Sequence, residues 1–173
     1  IIANAYYNLF GLNITGLRFF TVYGPWGRPD MAPMLFLKSL LSNEPINIFN
    51  EGKLRRDFTY IDDVVENTIA LFQDLIKRDR GFHDLVNIGG SRPLEMNYLI
   101  NLISKISDTH LEILRSEESQ LDARATMADK SYLKSILGEI RFTDLESGVE
   151  NLMNWAKRDE IKLNLLKWIQ STV

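Results

Sequence analysis

The chain contains no cysteine. That one absence removes disulfides, thiolate metal sites and cysteine nucleophiles together. Histidine is nearly absent too: His83 and His110 are the whole supply, too few for a His-rich zinc site. No apolar run approaches the roughly 20 residues needed to span a bilayer. A basic excess is also missing. Twenty Lys and Arg against 23 Asp and Glu leave a formal net charge of -3, which argues against wholesale nucleic-acid binding. Neither an N-terminal Met nor a charged n-region with a cleavage site is present, which points to the cytoplasm and to a piece of a longer protein. The short motifs of several enzyme classes are lacking as well: no nucleophile elbow, no P-loop, no HExxH, no EF-hand and no Gly-x-Gly-x-x-Gly. The closest approach to the last is Asn87-Ile-Gly-Gly90, which reads as a turn. Asn13-Ile-Thr15 matches a glycosylation sequon, read as chance in a chain without a secretory signal.

What remains is 173 residues, 45% hydrophobic and 25% charged, enough for one core. Residues 1–10 carry a helical apolar stripe, with Gly11 as C-cap. Residues 14–22 predict one buried strand, and 23–30 a Gly/Pro loop. A helix is expected over 31–41, a short strand over 46–49, a turn at Asn50-Glu-Gly52 and a strand over 58–61. Asp62 reads as the N-cap of a helix to about Arg78, with Asp63 supporting it through the dipole rather than forming a catalytic pair. A strand at 85–88, a helix at 94–106 and a strand at 111–114 follow. Thr126–Ala128 is a weaker extended piece, and 131–137 a short helix. Thr143-Asp-Leu-Glu146 reads as a capping box for a last helix through Trp155. In the tail from Lys157, Ile161, Leu165, Trp168 and Ile169 fall on one helix face. Strands alternate with helices, so the fold class is α/β or α+β, without repeats or linkers.

Two stretches carry most of the chemistry: Leu17-Arg-Phe-Phe-Thr-Val-Tyr-Gly-Pro-Trp-Gly-Arg-Pro-Asp-Met31 and Gly52-Lys-Leu-Arg-Arg-Asp-Phe-Thr-Tyr-Ile-Asp-Asp63. Each reads as a buried strand joined to an Arg-bearing loop. Strand carboxyl ends are where open α/β sheets bind ligands, and the Arg fork suits carboxylate or phosphate. Two such loops suit an anion with two charged ends. Against this, Arg18, Arg55 and Arg56 read as surface charges or as partners of Asp57 and Asp62 on the residues alone.

These two stretches resemble the extended short-chain dehydrogenase/reductases, the NAD-dependent nucleotide-sugar epimerases and dehydratases, and most narrowly the UDP-glucuronate 4-epimerases. The likeness extends more weakly through "LVNIGGSRPLEM" and "ATMADKSYLKSILG" to "TDLESGVENLMNW". It implies the last strands and helices of a Rossmann-type domain plus a small C-terminal substrate-binding region, with residues 1–173 as one C-terminal fragment and the NAD-binding half absent. The family's Tyr-x-x-x-Lys pair would fall upstream of Ile1, so the chain alone is expected to be inactive. By position, the resemblance places Phe20 at the nicotinamide end of NAD. It places Thr21 and Arg28 on the sugar carboxylate, Phe49 on the uracil and Arg56 on the diphosphate, with Asp57 orienting the Arg56 loop and Tyr23 and Pro25 shaping theirs. It further implies a UDP-sugar ligand, a homodimer with residues 1–10 near the contact, and a product destined for polysaccharide. At Ser119-Gln-Leu-Asp122 the chain departs from the family's Pro-Gly-Asp turn, keeping only Asp122. Another epimerase, dehydratase or decarboxylase is the nearest alternative. A non-catalytic sugar-nucleotide module and an unliganded structural domain are the others.

Overall fold

The computed structural model describes residues 1–116 and 122–158, together with Ile161 and Lys167. Ser119, Gln120 and Leu121 of the altered turn, and Leu165, Trp168 and Ile169 of the tail, lie outside the described residues. In chain order the elements are α1 (Ile2–Phe10), β1 (Ile14–Phe19), β2 (Thr21–Tyr23), α2 (Ala32–Ser42), β3 (Ile46–Ile48), β4 (Arg55–Tyr60), α3 (Ile61–Leu75), β5 (His83–Ile88), β6 (Pro93–Glu95), α4 (Met96–Ser107), β7 (Ile113–Arg115), α5 (Ser131–Leu137) and α6 (Leu145–Ala156). No helix among the described residues is long and apolar enough to cross a membrane.

Among the described residues, three small sheets carry the fold. β1 pairs in parallel with β5, β2 in parallel with β4 and β3 in parallel with β7, while β6 closes antiparallel on β4. The single strand expected over 14–22 is thus divided between two sheets. Phe19 is the last residue in register with β5, opposite Ile88, and the Phe20 N–H still donates to the Ile88 carbonyl at 3.0 Å. From Thr21 the chain pairs with Phe58 instead. The exchange occurs where Gly89 and Gly90 end β5. A Cβ on Gly90 would lie 1.9 Å from the Phe58 carbonyl oxygen, so β4 presses directly on this turn. The glycines serve close approach rather than phosphate cradling.

Other helix ends also differ from expectation. The N-cap of α3 is Tyr60, and Asp62 sits inside the first turn. Asp63 is buried and accepts from the Thr143 N–H at 2.9 Å and its hydroxyl at 2.7 Å. With Thr143 so engaged, the cap of α6 moves one residue on: Asp144 accepts from the Ser147 N–H at 2.9 Å. Leu94 does not begin α4, because Pro93–Glu95 pairs with Arg55–Asp57 first. Gly11 does close α1 in the left-handed conformation, at φ 60°.

Two apolar clusters result. The larger joins α2, α4 and α6 around Met34, Leu37, Leu99, Ile103 and Leu152, with Ile161 packed against it. The smaller joins Val64, Leu71, Val86, Ile88 and Leu133 between β5, α3 and α5. Tyr23 belongs to the larger cluster, its ring 5.5 Å from Tyr60 and 6.1 Å from Phe58. It is a core residue more than a loop former, and burial pushes its phenol well above the usual tyrosine range.

Candidate functional site

The alternation of β4 decides what the site contains, because neighbouring side chains on a strand point to opposite faces. Arg56 and Phe58 project into a cavity of about 280 Å³. Thr21 enters the same cavity from β2, Phe49 from the turn after β3, Met96 from the start of α4, and Asp122 from the stretch that precedes α5. The turn that carries Phe49 is tight: Asn50, Glu51 and Gly52 are all left-handed, at φ 50°, 52° and 71°. The Asn97 side chain donates to the Glu51 carbonyl at 2.9 Å and holds it.

Arg56 is the cavity's cation, and its side chain is 18% exposed. Its Nη1 donates to the Ala123 carbonyl at 2.7 Å and the Arg55 carbonyl at 3.0 Å, while Nη2 stands 3.7 Å from the Asp122 carboxylate. Two neutral acceptors and one carboxylate beyond hydrogen-bond range leave guanidinium donors for an anion. Asp57 is not its partner, contrary to the sequence reading. Asp57 points to the opposite face, fully buried, and accepts from the Gly90 and Ala128 N–H groups at 2.7 and 2.8 Å. It therefore orients two other segments. Arg55 reaches the Pro93 carbonyl at 3.2 Å, and Arg18 lies against Asn87 at 3.5 Å.

Phe20 and Arg28 line a second cavity, of about 350 Å³, with Phe19, Gly24 and Trp26 among its walls; Met31 borders both. Thr21, Phe49 and Arg56 are thus brought together, and Phe20 and Arg28 are brought together beside them. Arg28 does not share the Thr21 cavity. Its exposed guanidinium forks onto Asp30, with Nε to Oδ1 at 3.1 Å and Nη2 to Oδ2 at 2.5 Å. That hydrogen-bonded pair holds the Asp30 carboxyl below the usual carboxylate range and the guanidinium above its own. Trp26 is left-handed at φ 59°, and its ring meets Trp155 edge-on at 5.2 Å, which ties the loop to α6. Pro25 lies on the same cavity wall.

Sequence reasoning missed three parts of this site. The Ala123 carbonyl is main chain and has no residue signature. Asp30 stands two residues from Arg28, a spacing that could have suggested the pair. Met96 falls inside the helix expected over 94–106 and carried no signal of its own.

Comparison with known proteins follows the same geometry. Residues 1–89 match the family described as "NAD dependent epimerase/dehydratase family". The chain is 33% identical over 171 residues to the UDP-glucuronate 4-epimerase of Thermodesulfobacterium geofontis, covering 98% of this chain and 50% of the relative. It is 37% identical over 166 residues to UDP-glucuronate 4-epimerase 4 of Arabidopsis thaliana, covering 89% and 38%. Among solved structures, the UDP-glucuronic acid 4-epimerase of Bacillus cereus, in complex with UDP-glucuronic acid and NAD, superposes with a TM-score of 0.81 at 31% identity, over 91% of this chain and 49% of that one. The chain spans about half the length of the curated relatives it matches. The mixed α/β architecture with parallel pairing matches the Rossmann-like epimerase fold, and with the match over its first 89 residues the chain belongs to the NAD-dependent epimerase/dehydratase family.

Proposed function

We propose that this chain is the substrate-binding part of a nucleotide-sugar 4-epimerase that interconverts UDP-glucuronate and UDP-galacturonate by transient oxidation at C4. The observation that carries the reading is the first cavity, which a largely shielded Arg56 shares with Thr21, at the start of β2, and with the half-exposed Phe49 ring. A UDP-sugar needs a cation for its diphosphate, a flat apolar contact for its base and short polar donors for its sugar. Arg56, Phe49 and Thr21 supply these in turn. Arg28 would recognise the sugar carboxylate after exchanging it for the Asp30 carboxylate, an exchange of like partners with little electrostatic cost at an exposed site.

The second cavity fits the nicotinamide end of the family's cofactor. Its walls are aromatic at Phe19, Phe20 and Trp26, and Gly24 has no space for a side chain, since a Cβ would lie 2.5 Å from Ile61. When bound, NAD supplies a hydride acceptor at C4 of the sugar. This chain's own residues bind and orient the substrate: Arg56 fixes the diphosphate, Phe49 the base, Thr21 and Arg28 the sugar acid. None of them is placed as an acid or base, so residues 1–173 alone, read as one unit, turn over nothing. We place the working protein as a homodimer.

The test is calorimetric titration of the chain with UDP-glucuronate, UDP-glucose and UDP. Binding that favours the glucuronate and weakens about tenfold to a hundredfold in Arg56→Ala is expected, the loss typical of a hydrogen bond to a charged group. Equal binding of all three sugars and nucleotides, or indifference to Arg56→Ala, contradicts the assignment.

A further inference from the structure

We infer that Asp57, backed by Lys130, is the positioning residue that sets Arg56 for its anion; this rests on the reading of Arg56 as the diphosphate ligand. The two residues are adjacent on β4 and point to opposite faces. Asp57 is a fully buried carboxylate, an arrangement that costs free energy unless the charge is answered. It is answered three times. Oδ1 accepts from the Gly90 N–H and Oδ2 from the Ala128 N–H, while the Lys130 ammonium stands 4.0 Å from Oδ2 and donates to the Gly90 carbonyl. The Lys130 side chain is itself 12% exposed.

What Asp57 holds is the segment that holds Arg56. Residues 124–126 run along β4: the Arg55 N–H donates to the Arg124 carbonyl at 3.0 Å, and the Thr126 N–H to the Arg55 carbonyl at 3.1 Å. The Asp57 N–H adds a longer contact to the Thr126 hydroxyl, 3.4 Å. This same stretch begins with Asp122 and Ala123, the carboxylate and the carbonyl against which the Arg56 guanidinium rests. Asp57 anchors its far end at Ala128. Loosening Ala128 therefore frees the support of Arg56 without touching Arg56. The turn at Gly89–Gly90 fits the same clamp, since a Cβ on Gly89 would lie 2.6 Å from Asp57 Oδ2.

The test is Asp57→Asn, which keeps the shape but faces one of the two N–H donors with an NH₂. UDP and uridine are titrated into wild type, Asp57→Asn, Arg56→Ala and the double variant, with thermal unfolding alongside. In Asp57→Asn the affinity for UDP falls about tenfold, the affinity for uridine is unchanged, and the double variant is no weaker than Arg56→Ala. Lys130→Met gives a smaller loss of the same kind, and it decides the matter if Asp57→Asn does not unfold cooperatively. A UDP-to-uridine ratio at the wild-type value in the folded variants overturns the inference, as does an equal loss for both ligands or additivity with Arg56→Ala. If the wild type shows no preference for UDP over uridine, the diphosphate reading falls and this inference with it. If that preference vanishes in Arg56→Ala but survives in Asp57→Asn, only the inference falls.

Discussion

Arg56 and Asp57 illustrate how one strand divides its residues between a cavity and the scaffold. The Arg fork was readable in the sequence as a group suited to an anion, but the strand was expected only over 58–61, so the alternation that sends Arg56 and Asp57 to opposite faces was not. Nor was the partner of Asp57, because Gly90 and Ala128 contribute main-chain N–H groups from segments 33 and 71 residues away. Asp63 behaves in the same way. Replacing it by Ala removes two acceptors from Thr143 and leaves a half-buried N–H unanswered, so Asp63→Ala is expected to cost about 2 kcal/mol in urea unfolding. The side chain of Thr143 was expected to cap α6, a local rule that lost to this longer bond. Gly90→Ala is a harsher test of the fold. The added Cβ would meet the Phe58 carbonyl at 1.9 Å, and a backbone atom cannot rotate away. A loss of about 3 kcal/mol or more is expected, at the upper end of overpacking costs; a neutral substitution would mean that β4 does not press on this turn.

Among the elements, helix α6 offers a pH-dependent test. The N–H and hydroxyl of Ser147 bond to the Asp144 carboxylate and hold it below the usual carboxylate range. A group whose pKa is lower in the folded state stabilises above its unfolded value, about 3.9, and the contribution is lost as the pH falls through the folded value. Asp144→Ala should therefore cost about 1 kcal/mol at neutral pH, the usual worth of an N-cap, and the difference from wild type should narrow below about pH 4. A difference that holds or widens on acidification would contradict the cap. Most elements were legible because their signals are local. The apolar spacing of α4, the left-handed Gly11 and the Asn50–Gly52 turn all rest on near neighbours. The division of residues 14–22 into β1 and β2 was not legible, since Ile-Thr-Gly-Leu-Arg-Phe-Phe-Thr-Val carries no turn signal at Phe20. Only the arrival of β4 against the end of β5 determines where it changes partner.

At the scale of the whole molecule, two helices present apolar side chains outward. Ile2, Tyr6, Leu9 and Phe10 on α1 are exposed, as are Val65, Ile69 and Phe72 on α3 and Ile76 at its C-cap. The second set recurs every three or four residues and forms a stripe along one face. Contiguous exposed apolar surface of this kind favours association. Sedimentation of the chain should show concentration-dependent self-association that weakens in Ile69→Lys with Phe72→Lys; a strictly monomeric wild type would contradict it. The two cavities carry the larger claim, that a nucleoside diphosphate sugar lies along Arg56, Phe49 and Thr21. The most direct measurement is nuclear magnetic resonance of the isotope-labelled chain during titration with UDP-glucuronate. The account predicts saturable shifts of the amides of Thr21 and Phe49 and of the Arg56 guanidinium, with none at the separate polar cleft of Glu44 and His110. Shifts centred on that cleft, or spread evenly over the surface, would contradict it.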